Sequence, residues 1–376
     1  MSGGRYIQNK YKKMAAKILL FGGLMLVGLG SCRDAGQRAS RRDSSVLDTV
    51  VGPAGLTLVF SGDIMQHLPQ VNAARQPDGT YDYSACFRYI RPFWEYADFA
   101  VVNLETTLSY TGPYSGYPRF SSPAALAVAL RDAGVDVVAL ANNHSCDRGE
   151  RGIRTTLRVA DSLGLQCVGA YADSIQATRP LILEKKPFRV ALLNATYSTN
   201  GLPVPQGMKV HMLDTLRMAR EVAAARKQHA THVVLFAHWG EEYQQQPHAA
   251  QRRVADWCRR QGIDVVVGSH PHVAQPIDTA ARVVWSLGNF VSNQRKRYQD
   301  GGLNVRIRLF LHRPPRVEML PHWVWKAAEE GRYRYYILPA YAAGMVAGMD
   351  SADHQTFLQS LDDNRTVAGA VDEVVL

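Results

Sequence analysis

The residues able to do chemistry sit at the ends of apolar runs. "LTLVF" leads into "SGDIM" with Asp63, and "FAVVNL" runs into "ET", which places Asn103 and Glu105. "VDVVALA" stops at "NNHS" with Asn143 and His144, "THVVLFAH" ends on His238, and "IDVVVGSHPH" ends on His270 and His272. Carboxylate, amide oxygen and imidazole together suit zinc or another divalent transition metal. A carboxylate shared by two such ions is the arrangement used for metal-assisted hydrolysis. Each block alone also reads as a turn, since Gly-Asp follows many strands and Asn-Asn tolerates left-handed backbone. Two imidazoles around a proline have less structural reason to be there. Five such strand ends in one chain point to one pocket.

Other groups fit around that pocket. The loop "YSGYPRFSSP" (114–123) carries Arg119, and "NQRKRYQD" (293–300) carries Arg295 and Arg297. Guanidinium forks of this kind clamp an anionic substrate, or else they stay solvated on a basic loop. Glu241 and Glu242, after His238, either orient metal ligands or cap the next helix, and Trp239 reads as packing. No Ser-His-Asp constellation stands in a nucleophile-elbow context. Cys86, Cys146, Cys167 and Cys258 are widely spaced and form no CxxC, which argues against a zinc-cysteine site and leaves any pairing open.

These residues need a scaffold that brings strand ends together. From Leu56 onward, short apolar strands alternate with amphipathic stretches of helical spacing: "PAALAVALRDAG", "GIRTTLRVADSLG", "TLRMAREVAAARKQHA" and "AAQRRVADWCRRQG". Near-continuous apolar strands separated by helices predict an α/β fold with a buried sheet. In such folds ligands bind at the carboxyl ends of the strands. "RVVWSLGNF" and "NVRIRLFLH" follow without a helix between them, which predicts a second sheet or an antiparallel edge. From Pro321 on, the tail is expected to complete the sheet or cover one end of it.

The start of the chain reads differently. Residues 1–52 hold nine Lys/Arg against three acids, so most of the net charge of +10 lies outside the folded part and is no nucleic-acid signal. Lys12, Lys13 and Lys17 precede the thirteen-residue apolar stretch "ILLFGGLMLVGLG", after which small residues lead to Cys32 in "LGSC". That run is short of the roughly 20 residues a spanning helix needs. It has the layout of a signal peptide, with Cys32 resembling a lipidated bacterial lipobox cysteine and Met14 a possible true start. The expected organisation is a leader over 1–31, a Ser/Arg-rich tether over 32–55, a domain over 56–320, and an extension over 321–376 packed on it. The protein is then exported and lipid-anchored in the cell envelope.

The blocks "GDIM", "VVNLETTL", "ALANNHSCDRG", "FAHWGEEY", "VVVGSHPHV" and "SLGNF" resemble, in order and spacing, the CapA (poly-γ-glutamate capsule biosynthesis) family from about Leu56 to Phe290. That family is similar to calcineurin-like metallophosphatases, which implies a four-layer α/β/β/α sandwich. The resemblance implies Asp63, Asn143, His238, His270 and His272 as metal ligands and His144 as the proton donor. Two departures mark the subfamily. Met65 stands where metallophosphatases place a histidine, with His67 too late in the chain, and Glu105 replaces the bridging aspartate. One or two divalent ions are implied, with zinc, manganese and iron not distinguished.

The function expected is a metal-dependent hydrolase or transferase acting on amide bonds of a poly-γ-glutamate-like surface polymer. An envelope phosphoesterase is the alternative within the enzyme class. A non-catalytic polymer-binding component of capsule assembly is the alternative outside it.

Overall fold

The computed structural model describes residues 55–329 and 331–375. The leader, Met14, Cys32 and residues 33–54 lie outside the described residues.

Four parallel strands come first: β1 (Leu56–Ile64), β2 (Phe99–Leu104), β3 (Val137–Ala139) and β4 (Gln166–Val168). Helices α1 (Ala125–Asp132) and α2 (Gly149–Ser162) connect the later ones. Gly134 (φ 101°) and Gly164 (φ 75°), at the ends of the two helical stretches, take left-handed backbone that stops each helix.

The chain then builds a second sheet. It contains β5 (Leu181–Lys185), β6 (Phe188–Thr196), β7 (His232–His238), β8 (Val265–Ser269), β9 (Ile277–Asp278) and β10 (Val283–Val284), in the order β9-β10-β8-β7-β6-β5. Helices α3 (Thr215–Lys227) and α4 (Ala249–Arg260) join its parallel centre. Asp214 starts α3 by accepting from the backbone N–H groups of Leu216 and Arg217.

The chain finally returns to the first sheet through β11 (Asn289–Val291), β12 (Gly301–Leu309), β13 (Arg316–Glu329) and β14 (Arg332–Pro339). The first sheet thus runs β14-β13-β12-β1-β2-β3-β4, with β11 pairing the end of β1. β13 passes straight through position 320, so the tail is sheet, closed by helix α5 (Ser351–Ala368) over Trp323, Tyr336 and Leu338.

Period-two alternation decides the layers. Leu58, Phe60, Val101 and Val137 face Val190, Leu192, Val234 and Phe236 between the sheets. Phe60 and Phe236 meet edge to face at 5.4 Å. The alternate residues Val59, Ala100, Val102 and Val138 pack under Leu126, Leu130, Ile153 and Val159. On the other side, Leu193, Val233 and Leu235 pack under Met218, Val222 and Ala255. The result is a four-layer α/β/β/α sandwich. Removing a keystone such as Phe60 costs about 3–5 kcal/mol, from lost burial plus the cavity left behind.

Two glycines let the site form. A Cβ on Gly62 would meet the Gly288 carbonyl oxygen at 2.2 Å, and one on Gly288 (φ 70°) would meet Ala274 N at 2.8 Å. Their absence lets β11 close against β1, with Asp63 N–H donating to Gly288 O at 3.1 Å. Cys86, Cys146, Cys167 and Cys258 are all free thiols.

Candidate metal centre

Parallel register puts the ends of β1, β2 and β3 at one edge, where Asp63 pairs with Asn103 and Asn103 with Ala139. β7 and β8 end in register too, His238 beside Ser269. Asn194 ties the two sheets at this end, since its Oδ1 accepts from Ala141 N at 2.7 Å and its Nδ2 donates to Phe236 O at 2.9 Å.

Asp63 is the anchor. Its Oδ1 accepts from Asn103 Nδ2 at 2.7 Å, and its Oδ2 accepts from His270 N at 3.2 Å. His272 Nδ1 lies 3.2 Å from the same Oδ2 but out of hydrogen-bond alignment, and has no hydrogen-bond partner. Glu105 is 0% exposed, and neither of its carboxylate oxygens has a hydrogen bond. Its Oε1 stands 3.6 Å from His238 Nε2 and 4.0 Å from His272 Nε2. His238 Nε2 also lies 2.7 Å from Asn143 Oδ1, whose amide is oriented by donating to Asn200 Oδ1 at 3.3 Å.

His270 and His272 take φ of 102° and 57°. Non-glycine residues in the left-handed region carry strain that persists where surrounding structure over-determines it, commonly at functional sites. That accounts for "GSHPH" physically: the strained turn aims two imidazoles back at Asp63 and Glu105.

Three groups of side chains could each hold an ion: Glu105, His238 and His270; Asp63, Glu105 and His272; Glu242, His270 and His272. Glu105 is common to two of them. Burial, then the charges of Asp63 and Glu242, push its carboxyl well above the usual range. Burial likewise holds His238 well below the ordinary imidazole value and lowers His270 to about 3, with the neighbouring histidines reinforcing both. Buried imidazoles, two of them with an unpartnered Nδ1, around a carboxylate that only a cation would let ionise, fit a divalent metal. Glu105 Oε1 and Oε2, His270 Nδ1 and His272 Nδ1 are buried atoms without protein partners, and a metal ion would satisfy them.

His144 is 3% exposed and held from behind: its Nδ1 is 2.8 Å from Asp147 Oδ2, which also accepts from Phe120 N at 2.6 Å. Phe120 packs edge-on against the His144 ring at 4.6 Å. Asn142 shapes this turn by accepting from His144 N at 3.1 Å and donating to Leu104 O at 2.9 Å.

The structure brings Asp63, Glu105, Asn143, His144, His238, His270 and His272 to one end of the sandwich. It does not bring Arg295 and Arg297 there. Arg297 forks onto Asp363 at 2.7 and 2.8 Å, and Arg295 lies over the Trp323 ring at 5.8 Å, both lining a cleft against α5. The charged partner Asp363 on α5 outcompetes solvent and site for that loop, which corrects the expected substrate clamp. Earlier in the same loop, Gln294 turns toward the centre, donating to Tyr243 OH at 3.3 Å beside His272, and Asn293 N donates to His67 Nδ1 at 3.3 Å. Arg119 is exposed, and its carbonyl is held by Arg148 Nη2 at 3.0 Å. Trp239 packs, stacked on Trp285 with its Nε1 donating to Trp285 O at 2.9 Å.

Sequence reasoning missed Asp147, whose one signal was its position three residues after His144. It also set His67 aside, yet His67 meets Phe120 at 5.4 Å, and the charges of His272 and His144 help lower its pKa after burial. Tyr197, with its ring 4.5 Å from His270, gave no signal at all.

A four-layer α/β/β/α sandwich with carboxylate, amide and imidazole donors gathered at its strand ends defines an α/β protein with a candidate metal centre at one edge. The chain belongs to the bacterial capsule synthesis protein PGA_cap family, whose model matches residues 57–294. It is 28% identical over 276 residues to the PGA biosynthesis protein CapA of Bacillus subtilis, covering 71% of each chain. It is 29% identical over 255 residues to the capsule biosynthesis protein CapA of Bacillus anthracis, covering 64% of this chain and 60% of that one. Among solved structures, the NAD nucleotidase NadN of Haemophilus influenzae aligns with a TM-score of 0.47 at 13% identity, over 86% of this chain and 65% of that one.

Proposed function

We propose that this protein is an envelope lipoprotein that cleaves or transfers amide bonds of a poly-γ-glutamate-like surface polymer at a divalent metal centre. The observation that carries the reading is Glu105, fully buried with both oxygens unpartnered among three imidazoles. A structural carboxylate would have been given hydrogen bonds. The polymer class follows from relatives named for PGA and capsule biosynthesis. Export and the lipid on Cys32 belong to the same proposal, as does association with capsule assembly proteins.

Asp63, Glu105, Asn143, His238, His270 and His272 would hold the metal. When bound, it supplies Lewis acidity at the scissile carbonyl and a nucleophile at neutral pH. The chain's own residues do the rest. Asp63, held by Asn103, and His238, held by Ser269 at 3.0 Å, keep the donors in place. His144 carries a proton on Nε2 and delivers it to the departing amine as the C–N bond breaks. Asp147 accepts a hydrogen bond from the Nδ1–H of His144 and fixes the ring, with Nε2 aimed at the leaving group. Attack by water gives hydrolysis, and attack by an acceptor amine gives transfer.

The test begins with elemental analysis of the protein beside an Asp63→Ala/His272→Ala double variant. Stoichiometric metal in the first and none in the second is expected. Turnover of γ-linked amide and phosphate-ester substrates is then compared with His144→Gln, expected to bind but turn over at least about a hundredfold more slowly. Equal turnover by His144→Gln removes the proton-donor role. Absence of metal at any supply of zinc, manganese or iron leaves a polymer-binding protein without catalysis.

A further inference from the structure

The loop that carries Phe120 to His144 has a second side. A cleft of about 230 Å³ lies there against the start of α2, and its polar lining is Ser109, Thr111, Ser121, Arg148, Arg151 and Thr155. Two guanidinium groups and four hydroxyls line it, and no carboxylate does. The nearest acid on the helix, Glu150, is committed to Arg154 at 2.6 Å. Arg151 is exposed and makes no ion pair or side-chain hydrogen bond among the described residues.

Placement sharpens the charge argument. Arg148 is the N-cap of α2 and Arg151 lies in its first turn. Cations are disfavoured at that end of a helix, so two of them facing one cleft leave a conflict that an oxyanion would remove. The cleft is mechanically joined to the centre. Arg148 follows Asp147 in the chain, holds the Arg119 carbonyl at 3.0 Å and contacts Ser115. The next residue, Phe120, bonds Asp147 and packs on His144. On the Glu105 side, Thr107 Oγ1 donates to Phe120 O at 2.8 Å.

We infer that this cleft is a subsite for the carboxylates of a linear acidic polymer whose scissile bond lies at the metal centre. The inference rests on the polymer reading above and gives the clamp expected of Arg119 to Arg148 and Arg151 instead. Arg151 binds a carboxylate directly. Arg148 does so while bracing the loop behind His144, so that an occupied cleft steadies the proton donor.

The test titrates the metal-loaded protein with a γ-linked glutamate hexamer and, separately, with inorganic phosphate, by calorimetry. Arg151→Gln is expected to weaken hexamer binding about tenfold, and Arg151→Glu more, with metal content unchanged. Arg158→Gln, further along the same helix, exposed and outside the cleft, controls for bulk charge and stays within about twofold. Hexamer binding by Arg151→Glu equal to wild type overturns the subsite and leaves the metal-centre reading standing. Phosphate binding as tightly as the hexamer, and lost in Arg151→Glu, makes the cleft a site for a lone oxyanion and overturns the polymer assignment. No hexamer binding by metal-loaded wild type overturns the polymer reading itself.

Discussion

Two buried polar clusters begin two residues apart on β1. One starts at Ser61, the other at Asp63, and all of Ser61, Asn304, His322, Asp63, Glu105 and His238 are 0% exposed. In the first, every group is answered. Trp94 Nε1 donates to Ser61 Oγ at 3.0 Å, and Ser61 Oγ donates to Asn304 Oδ1 at 2.7 Å. Asn304 Nδ2 meets His322 Nδ1 at 3.1 Å, and His322 Nε2 reaches the carbonyls of Asn289 and Phe290 at 3.1 and 3.0 Å. In the second, Glu105 and one nitrogen each of His270 and His272 are left open. An orphaned buried polar atom costs about 1–3 kcal/mol, so a fold keeps several only where something else completes them. The first cluster is architecture; the second awaits a cation.

The sharpest way to break that comparison is Glu105→Gln. In the metal-free protein at neutral pH the variant should be the more stable, by about 1–3 kcal/mol. The sign follows from the raised carboxyl pKa, which makes the group's contribution full below its unfolded value and lost as pH rises past it. With metal supplied at a hundred times its dissociation constant, wild type gains about 2.7 kcal/mol and the variant does not, so the order reverses. Denaturant midpoints with and without metal measure both. Native metal stoichiometry in Glu105→Gln would show that the open carboxylate was never a ligand.

The answered cluster should respond in the opposite sense. His322→Ala strips partners from Asn304 and from two carbonyls and opens a cavity, a loss of about 3 kcal/mol with or without metal. Its metal content, measured on folded protein, should stay native. A variant that kept full stability but lost metal would place His322 in the centre.

How much of this the sequence shows depends on where information is local. Asp63, Asn143, His238 and His272 each end a buried β run, so period and type expose them, and parallel strands leave them one edge to share. Gly62 and Gly288 were quoted within the family blocks, though only the close approach of β1 and β11 explains them. Asp147, His67 and Tyr197 reach the centre through folded loops, which no periodicity records. Arg295 and Arg297 failed as expectations for the same reason in reverse: their partners, Trp323 and Asp363, lie far on in the chain and claim them first. The tail from Pro321 was legible only as something that completes the sheet or covers one end of it, its elements hidden because β13 and β14 are long antiparallel strands buried by α5, with aromatic rather than alternating pattern.

The smallest effect expected is acid sensitivity carried by the answered cluster. His322 Nε2 faces two carbonyl oxygens, so it must donate, and Nδ1 is left to accept from Asn304. A second proton on Nδ1 would point at an amide NH2 inside the sheet. Burial lowers this histidine to about 4, the carbonyl contacts offsetting it only in part. The unfolded chain takes up the proton near 6.5, so between these values it binds more protons than the fold does. Stability is therefore full above about pH 6.5 and declines as pH falls toward 4, at no more than about 1.4 kcal/mol per pH unit for this group. The denaturant midpoint of metal-free protein between pH 7 and 5 should fall less steeply in His322→Gln than in wild type. Parallel slopes would mean that His322 is protonated in the fold, and that the cluster bracing Asn289 beside Asp63 is as incomplete as the one it supports.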